Sequence, residues 1–325
     1  MRMPAEWAPH ERTLMAWPVR EELWGERLSD AKRDYAEVAD AIAGFEPVLV
    51  VAADAVDARA HLPAAVEVVE LPIDDSWLRD SGPIFVTGQG GERAAIDFRF
   101  NGWGEKFAPW DADDRVTERL CEYLGVPRER VELVLEGGSI SVDGEGTLVT
   151  TEQCVLHPSR NPGLGREELE EALGRLLGVT RVVWLGLGLV EDEDTDGHVD
   201  NVCQFVAPGR VLLQTVADRN NPNYANAREN ARRLDEAGIG VVELELLPYE
   251  ELRGRPGVVP YANFYVCNGA VIVPVADQDF DAEALERIGA LFPGREPVAV
   301  PGRTLAHGGG GVHCITQQLP AVQPV

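Results

Sequence analysis

One pattern recurs five times along the chain and limits the folds that the chain can adopt. In each copy, apolar residues at three- and four-residue spacing indicate a helix that ends near a glycine, and a β-branched strand follows a few residues later. The helical segments begin at Ala31, Asp111, Arg166, Pro222 and Phe280. Because these starts are separated by roughly 55–80 residues, we interpret the segments as copies of one helix–strand unit.

Further strand candidates lie between the units, namely AAIDFRF, TLVTT, VLLQTV, NFYVCN and AVIVPV. Proline and glycine stand at the joints between units rather than in low-complexity linkers, so we predict a single ring-like α/β domain over residues 1–325. A doubly wound parallel sheet is the competing fold. That fold usually carries a glycine-rich turn after its first strand, and VLVVAADAVD has none.

The charge and the cysteines restrict the partners of the chain. A net charge of −26 predicts no nucleic-acid or membrane partner and favours small cations. The five cysteines include no C-x-x-C pair, which argues against a disulfide framework and against a zinc knuckle. The opening MRMPAEWAPHER lacks the apolar stretch of a signal peptide, so we expect a reducing, cytoplasmic location. The sequence leaves open whether the chain forms a homo-oligomer.

Chemically reactive side chains follow four of the five units at the same stage. In a ring of repeated units this stage faces one common place, so we predict that these side chains form one site. They are Trp77 and Asp80 after the first unit, Glu136 after the second, His198 and Asp200 after the third, and Cys314 after the fifth.

Cys314 is the strongest candidate for a nucleophile because of its position in HGGGGVHCITQQ. Most free cysteines are small buried apolar residues. Four glycines just before this one, however, remove Cβ atoms and leave room for backbone or substrate to approach the thiol. A phosphate-binding loop would need a Lys-Ser/Thr pair after its glycines, which is absent from this stretch.

The partner base of Cys314 is predicted to come from a distant segment. If VHCIT is extended, the neighbouring His313 points away from the face that carries Cys314. In GHVDN, His198 and Asp200 are two residues apart and would share one face of a strand. A metal site that joins this pair to Glu136 is an alternative, but H-x-D lacks a third ligand at helical spacing.

The predicted set of one thiol, one imidazole and three carboxylates suits a planar cationic substrate. A guanidinium group offers five N–H donors in a fixed fork, and carboxylates bind it in a bidentate manner. A cysteine peptidase needs the thiol and the imidazole but has no use for inward-facing carboxylates. In addition, no Asn or Gln stands out in the sequence as a donor to an oxyanion.

The stretches DDSWLRDSGP, FNGWGEKFAPWDADD, LEGGSISVDGEGTLVTTEQC, DTDGHVDN, NFYVCNGAVIVP and GGGGVHCITQQ occur in an order and at spacings that resemble one known family. The sequence is similar to the agmatine deiminases, which belong to the bacterial peptidyl-arginine-deiminase-like family of the guanidino-group-modifying superfamily. The resemblance covers nearly the whole chain. It implies a five-bladed α/β propeller (pentein) with pseudo-fivefold symmetry.

The same resemblance implies a role for each candidate residue. Cys314 would form an amidino-cysteine intermediate, His198 would be the general acid and base, Glu136 would orient His198, Asp80 and Asp200 would hold the guanidinium, and Trp77 and Trp103 would pack against the aliphatic part of the substrate.

The implied reaction is hydrolysis of agmatine, a small cationic guanidino substrate, to N-carbamoylputrescine and ammonia without a metal or an organic cofactor. Asp194 and Asp196 in the acidic stretch EDEDTD are candidates for binding the far amine. Two departures from the family bear on the substrate: Asp196 stands where relatives often have Asn, and the segment before Tyr261 is short. Arginine, peptidyl-arginine or another guanidino compound therefore stays open as an alternative substrate.

Overall fold

The computed structural model of the chain describes residues 1–322, in which strands and helices alternate along the whole length. The strands are β1 (His10–Ala16), β2 (Val48–Ala52), β3 (Glu67–Glu70), β4 (Ile84–Thr87), β5 (Arg93–Arg99), β6 (Arg128–Val134), β7 (Ile140–Val142), β8 (Thr147–Thr151), β9 (Arg181–Leu185), β10 (Cys203–Ala207), β11 (Arg210–Gln214), β12 (Gly240–Leu244), β13 (Tyr249–Leu252), β14 (Arg255–Val258), β15 (Tyr265–Cys267), β16 (Ala270–Val275), β17 (Glu296–Pro301) and β18 (Thr316–Pro320).

The helices are α1 (Glu21–Trp24), α2 (Leu28–Ala43), α3 (Ala55–His61), α4 (Leu78–Ser81), α5 (Gly102–Glu105), α6 (Val116–Leu124), α7 (Glu152–Val155), α8 (Arg166–Leu177), α9 (Tyr224–Glu236), α10 (Asp281–Gly289) and α11 (Arg303–Gly308). The five helices predicted from the repeated pattern are confirmed as α2, α6, α8, α9 and α10. Within residues 1–322, none of the helices combines the length and the apolar character needed to cross a bilayer.

The predicted spacing of apolar residues explains how these helices pack. In α2 the side chains of Tyr35, Val38 and Ile42 are buried on one face, as the spacing of three to four residues requires. Helix α8 ends at Gly178, which adopts a left-handed conformation with φ of 68°. A glycine takes up this conformation without the steric cost that a Cβ would add.

The strands form five sheets with one repeated order and a separate hairpin of β13 and β14. In each sheet an antiparallel pair is extended by a parallel strand that follows a helix, as β5 is by β6 across α6. The sheets run β18-β1-β2-β3, β4-β5-β6, β7-β8-β9, β10-β11-β12 and β15-β16-β17. This mixed α/β arrangement is not a single doubly wound sheet, because the described strands divide into separate sheets.

The last strand of the chain pairs with the first. Strand β18 lies antiparallel to β1, and β2 continues the same sheet on the other side of β1. Cys314 lies just before β18, in an apolar cluster with Met15, Trp24 and Trp77. The pairing therefore holds the C-terminal loop that carries the thiol against the N-terminal part of the chain.

Candidate active site

The candidate catalytic residues lie in corresponding segments of the chain. Each of these segments precedes one strand of its sheet's antiparallel pair. Asp80 lies before β4, Glu136 before β7, His198 and Asp200 before β10, Asn263 before β15, and Cys314 before β18.

Cys314 is buried beside a carboxylate and an amide. Only 4% of the surface of Cys314 is exposed, and its Sγ lies 3.5 Å from Oδ2 of Asp200. Asn263 donates a hydrogen bond from Nδ2 to the same sulfur over 3.3 Å. Burial, together with the negative charges of Asp200 and Asp80, raises the pKa of the Cys314 thiol well above its ordinary value. The sulfur is therefore held as a thiol.

Asn263 is the residue that the sequence analysis missed. It follows the fourth unit at the stage where the other four units carry a reactive side chain, in the stretch YANFYV. An amide attracts less notice than a thiol, an imidazole or a carboxylate, but its place in the repeat was a usable signal. The expectation that the sequence offers no Asn donor for the site is therefore corrected.

Asp80, Asp200 and His198 converge on the small space beside Gly138. A Cβ added to Gly138 would lie 2.6 Å from Nδ1 of His198, 2.8 Å from Oδ1 of Asp80 and 2.9 Å from Oδ2 of Asp200. Only glycine fits at these distances. Asp80 is also fixed by hydrogen bonds from Nε1 of Trp103 at 2.9 Å and from the Gly138 backbone at 2.8 Å.

The two carboxylates have different proton affinities. Burial raises the pKa of Asp80 and the charge of Asp200 adds to this, while His198 opposes it. For Asp200, burial also favours the protonated form, but the hydrogen bond and charge of His313 outweigh it and lower the pKa. Asp200 is therefore the firmly ionised carboxylate of the pair.

His198 is fully buried between acidic groups. Its Nδ1 lies 3.8 Å from Oδ1 of Asp80, and within residues 1–322 neither ring nitrogen has a hydrogen-bond partner. Burial disfavours its charged form, yet the negative charge of Asp80 outweighs this and raises the pKa of His198 well above its usual range. The imidazole is thus held as an imidazolium. His198 precedes a 3-10 turn at Val199–Asn201 rather than lying on the strand that the sequence analysis assumed.

Glu136 lies near His198 and is bound by an arginine. An oxygen of Glu136, the sulfur of Cys154 and a ring nitrogen of His198 lie within 4.8 Å of one another. Nε of Arg160 donates to Oε1 of Glu136 over 2.7 Å. Because a buried guanidinium already neutralises this carboxylate, the cluster is a poor place for a metal cation.

Asp196 does not line the pocket beside Cys314. Its Oδ2 accepts a hydrogen bond from Arg160 at 2.6 Å, and its Oδ1 lies 2.7 Å from Nζ of Lys106. Both oxygens are therefore paired with cations of the protein. This placement argues against the expectation that Asp196 binds the far amine of a substrate.

One pocket brings Cys314 together with two tryptophans and an acidic residue. Trp77, Trp103 and Asp194 line this pocket together with Cys314. Trp77 is supported from behind by the stacked ring of Trp24, with ring centres 5.9 Å apart. Oδ2 of Asp194 forms an ion pair with Nη1 of Arg253 at 3.1 Å. The pocket thus has aromatic walls and an acidic residue that is paired with an arginine of the protein.

The glycines before Cys314 provide the clearance that the sequence analysis predicted. A Cβ on Gly310 would lie 2.5 Å from Cζ3 of Trp77 and 3.1 Å from Cβ of Cys314.

Residues 312–315 form a turn rather than the extended segment that we expected. His313 binds Oδ2 of Asp200 through Nδ1 over 2.8 Å, so it contacts the same oxygen that neighbours the thiol.

Fold and site together define the class of enzymes that act on guanidino groups with a cysteine and two carboxylates in one buried site. The comparison with protein families identifies the group within this class. The model of the Porphyromonas-type peptidyl-arginine deiminase family matches residues 2–320, and the chain belongs to this family.

Individual relatives agree with this assignment over nearly the full length of the chain. The agmatine deiminase of Ectopseudomonas mendocina is 42% identical, and the alignment covers 99% of this chain and 96% of the relative. The structure of the agmatine deiminase of Enterococcus faecalis is 36% identical and superposes with a TM-score of 0.95 over 100% of this chain and 96% of that one. This likeness establishes a pentein-type α/β fold.

A second structure is described as a cysteine-to-serine variant of the C. jejuni agmatine deiminase with substrate bound. It is 26% identical, has a TM-score of 0.93 and is matched over 99% of this chain and 97% of that one.

Proposed function

We propose that the protein hydrolyses agmatine to N-carbamoylputrescine and ammonia through a covalent amidino-cysteine (thiouronium) intermediate. The observation that carries this proposal is the position of the Cys314 sulfur, 3.5 Å from the buried Asp200 and at the end of the pocket that also holds Asp80. Two carboxylates at a buried thiol bind a planar cation and keep it charged. Relatives that share 42% of the sequence are named for the same activity.

Substrate binding prepares the nucleophile. Asp80 and Asp200 accept hydrogen bonds from the guanidinium nitrogens and hold the central carbon over Sγ of Cys314. The bound cation offsets the two negative charges that raise the pKa of the thiol, so the thiol releases its proton to solvent and the thiolate forms when substrate is present. Asn263 stabilises the thiolate with its Nδ2–H donor.

The first step forms the covalent intermediate. The Cys314 sulfur attacks the guanidinium carbon and forms a C–S bond, and the imidazolium of His198 donates its proton to a nitrogen of the former guanidinium. The C–N bond to that nitrogen then breaks and ammonia leaves. His198 is neutral at this point, and we assign to Glu136, whose oxygen lies within 4.8 Å of a ring nitrogen, the role of orienting the ring for the next proton transfer.

The second step releases the product. The neutral His198 takes a proton from a water molecule, whose oxygen attacks the thiouronium carbon. The C–S bond breaks, the departing sulfur takes the proton that remains on the attacking oxygen, and the carbon becomes the carbonyl of the ureido product. At the end His198 is again an imidazolium and Cys314 is again a thiol, and the proton that the thiol released when the substrate bound converts the ammonia to ammonium.

The far end of the pocket selects the substrate. Trp77 and Trp103 contact the aliphatic chain, and Asp194 receives the terminal ammonium of agmatine, for which Arg253 must give up its ion pair. Arg253 also supports a second candidate, deimination of free arginine, because its guanidinium could bind an α-carboxylate at the same place.

The finer architecture is also part of this proposal. We infer that the five sheets are the blades of a five-bladed α/β propeller with pseudo-fivefold symmetry, in one catalytic domain. Support comes from the repeated strand order, from the pairing of β18 with β1, and from the five corresponding loops that lead to one site. A single domain accounts for the contributions of all five units to that site.

Composition supports the cellular setting that we propose. The net charge of −26 favours a small cationic substrate over nucleic acid as a partner. All five cysteines are free and buried, which suits a reducing cytoplasm.

A product assay tests the proposed function. The purified protein is offered agmatine, arginine and an arginyl peptide in parallel, and the ureido product and ammonia are measured. We expect turnover of agmatine, with a Cys314→Ser variant inactive and without an amidino adduct in the mass spectrum. Turnover of arginine but not of agmatine would establish the second candidate instead, and an active Cys314→Ser variant would exclude the covalent route.

A further inference from the structure

His313 occupies an unusual position between two carboxylates. Its Nδ1 lies 2.8 Å from Oδ2 of Asp200, and its Nε2 lies 2.9 Å from Oε2 of Glu6. Carboxylate oxygens accept hydrogen bonds, so both ring nitrogens satisfy their partners only if both carry a proton. The geometry therefore calls for an imidazolium rather than a neutral ring.

Glu6 is not protonated, so it cannot donate the hydrogen bond between its carboxylate and Nε2 of His313. Its Oε2 also accepts from Nη2 of Arg79 at 3.1 Å, and its Oε1 accepts from the backbone N–H of Val266 at 2.8 Å. Burial disfavours its charge, but His313 and Arg79 together lower the pKa of Glu6 to about 2. Arg79, Glu6, His313 and Asp200 thus form a buried chain of alternating charge, which we call the ion chain.

We propose that His313 is a permanently protonated positioning residue that holds Asp200 ionised and fixed for the guanidinium, and that Glu6 keeps His313 in this state. His313 engages only Oδ2 of Asp200, and Oδ1 has no hydrogen-bond partner within residues 1–322. The free oxygen remains available to a substrate N–H. The catalytic consequence rests on the proposed deimination, whereas the protonation state does not.

The charged groups that face His313 come from three parts of the chain. Glu6 belongs to the segment before β1 and Asp200 to the turn before β10, and both favour the imidazolium. Arg79 in α4 opposes it, and Nε of Arg79 also donates to the His313 backbone oxygen at 3.2 Å. Removing the charge of Glu6 leaves Arg79 without its counter-ion, so His313 should lose its proton more readily.

A nuclear magnetic resonance titration of the substrate-free protein tests the protonation state directly. Long-range proton–nitrogen spectra report both ring nitrogens of each of the six histidines, and a His313→Gln variant assigns the signals of His313. We expect a ring that is still doubly protonated at neutral pH and that loses its proton only at higher pH, in contrast to an ordinary histidine, which titrates near about pH 6.5. A singly protonated ring at neutral pH would overturn the proposal.

The Glu6→Gln variant tests the role of the ion chain in the reaction. We expect its His313 to titrate, and KM for agmatine to rise about ten- to a hundredfold at alkaline pH, the usual loss for a charged hydrogen bond, and to recover near about pH 6. Glu46→Gln is the matched control. Glu46 binds Nδ1 of the buried His10 at 3.1 Å, so this variant breaks a similar pair outside the site.

The outcomes separate this inference from the proposed function. If the wild-type protein does not turn over agmatine, the proposed function fails, and the titration still decides the state of His313. If agmatine is turned over but Glu6→Gln and Glu46→Gln share one pH profile, the ion-chain proposal fails alone. If Glu6→Gln does not fold, the wild-type titration and the KM of His313→Gln, expected to rise with little change in kcat, provide the test.

Discussion

Asn263 donates a hydrogen bond from its Nδ2 to the Sγ of Cys314 over 3.3 Å, across 51 residues of sequence. The same side chain accepts the backbone N–H of His313 through Oδ1 at 2.9 Å and donates to Oδ1 of Asn201 at 2.9 Å. The amide is therefore fixed on three sides and points a donor at the sulfur. It is the contribution of the fourth unit to a site in which every unit takes part.

The first prediction concerns this donor. Asn263→Ala should lower kcat about 100-fold, since the thiolate loses a preorganised donor in a buried site. The rate of thiol alkylation by iodoacetamide against pH should shift to higher pH, because the hydrogen bond from Asn263 lowers the pKa of Cys314. Asn230→Ala is the control, since Asn230 is a buried amide that binds backbone groups at Gly186 and Leu187. Equal effects of the two substitutions would contradict a specific role for Asn263.

A second prediction concerns the clearance beside the thiol. Gly310→Ala should reduce kcat/KM about tenfold or more. The added Cβ would lie only 2.5 Å from Trp77, so the ring must move from its place in the pocket that also holds Cys314. Gly44→Ala adds the same atom at an exposed site, where its nearest neighbour is 3.6 Å away. The test compares steady-state kinetics with melting temperature. A loss of activity that merely follows a loss of stability would count against the steric explanation.

Substrate choice should depend on the ion pair at the far end of the pocket. Asp194→Asn should raise KM for agmatine about tenfold, or roughly 1.4 kcal/mol, with a smaller change in kcat. Arg253→Ala should lower KM for agmatine, because Asp194 no longer has a competing partner. Glu193→Gln is the control, since Glu193 is largely exposed and pairs with Arg255. An unchanged KM in Asp194→Asn would place the ammonium elsewhere.

Stability should respond to pH through Asp113, a buried acid outside the catalytic set. Its Oδ1 accepts the backbone N–H groups of Asp74 at 2.8 Å and Asp75 at 3.2 Å. Burial, with the nearby charges of Asp75 and Asp74, raises the pKa of Asp113 to about 8. An unfolded Asp has a pKa of about 4, so the folded state binds the extra proton between these values. The contribution of Asp113 to the free energy of unfolding therefore falls as pH rises from about 4 to about 8.

Asp113→Asn keeps an acceptor oxygen and removes the charge. It should raise the free energy of unfolding by roughly 1–3 kcal/mol at about pH 8 and leave it nearly unchanged at about pH 4. Thermal unfolding followed against pH is the measurement, with the exposed Asp111→Asn as the control. A destabilised Asp113→Asn protein at pH 8 would show that the ionised carboxylate is needed.

Much of the architecture follows from local patterns. The five helices can be predicted because apolar spacing and glycine ends act within a few residues, as in α8 and its cap at Gly178. The repeat also predicts that Asp80, Glu136, His198, Asp200 and Cys314 occupy corresponding loops. Local conformation was less predictable: VHCIT was expected to be extended, and residues 312–315 form a turn instead.

Sequence by itself determined the repeated units and the chemical groups at their ends, because both depend on residues close together in the chain. Only the tertiary structure decided which groups share a proton or a charge. His313 and Glu6 are 307 residues apart and meet because β18 pairs with β1. Asp196 was a candidate for binding the far amine of the substrate, but it is bound to Arg160 and Lys106. Such contacts depend on how distant loops pack, and periodicity carries no information about them.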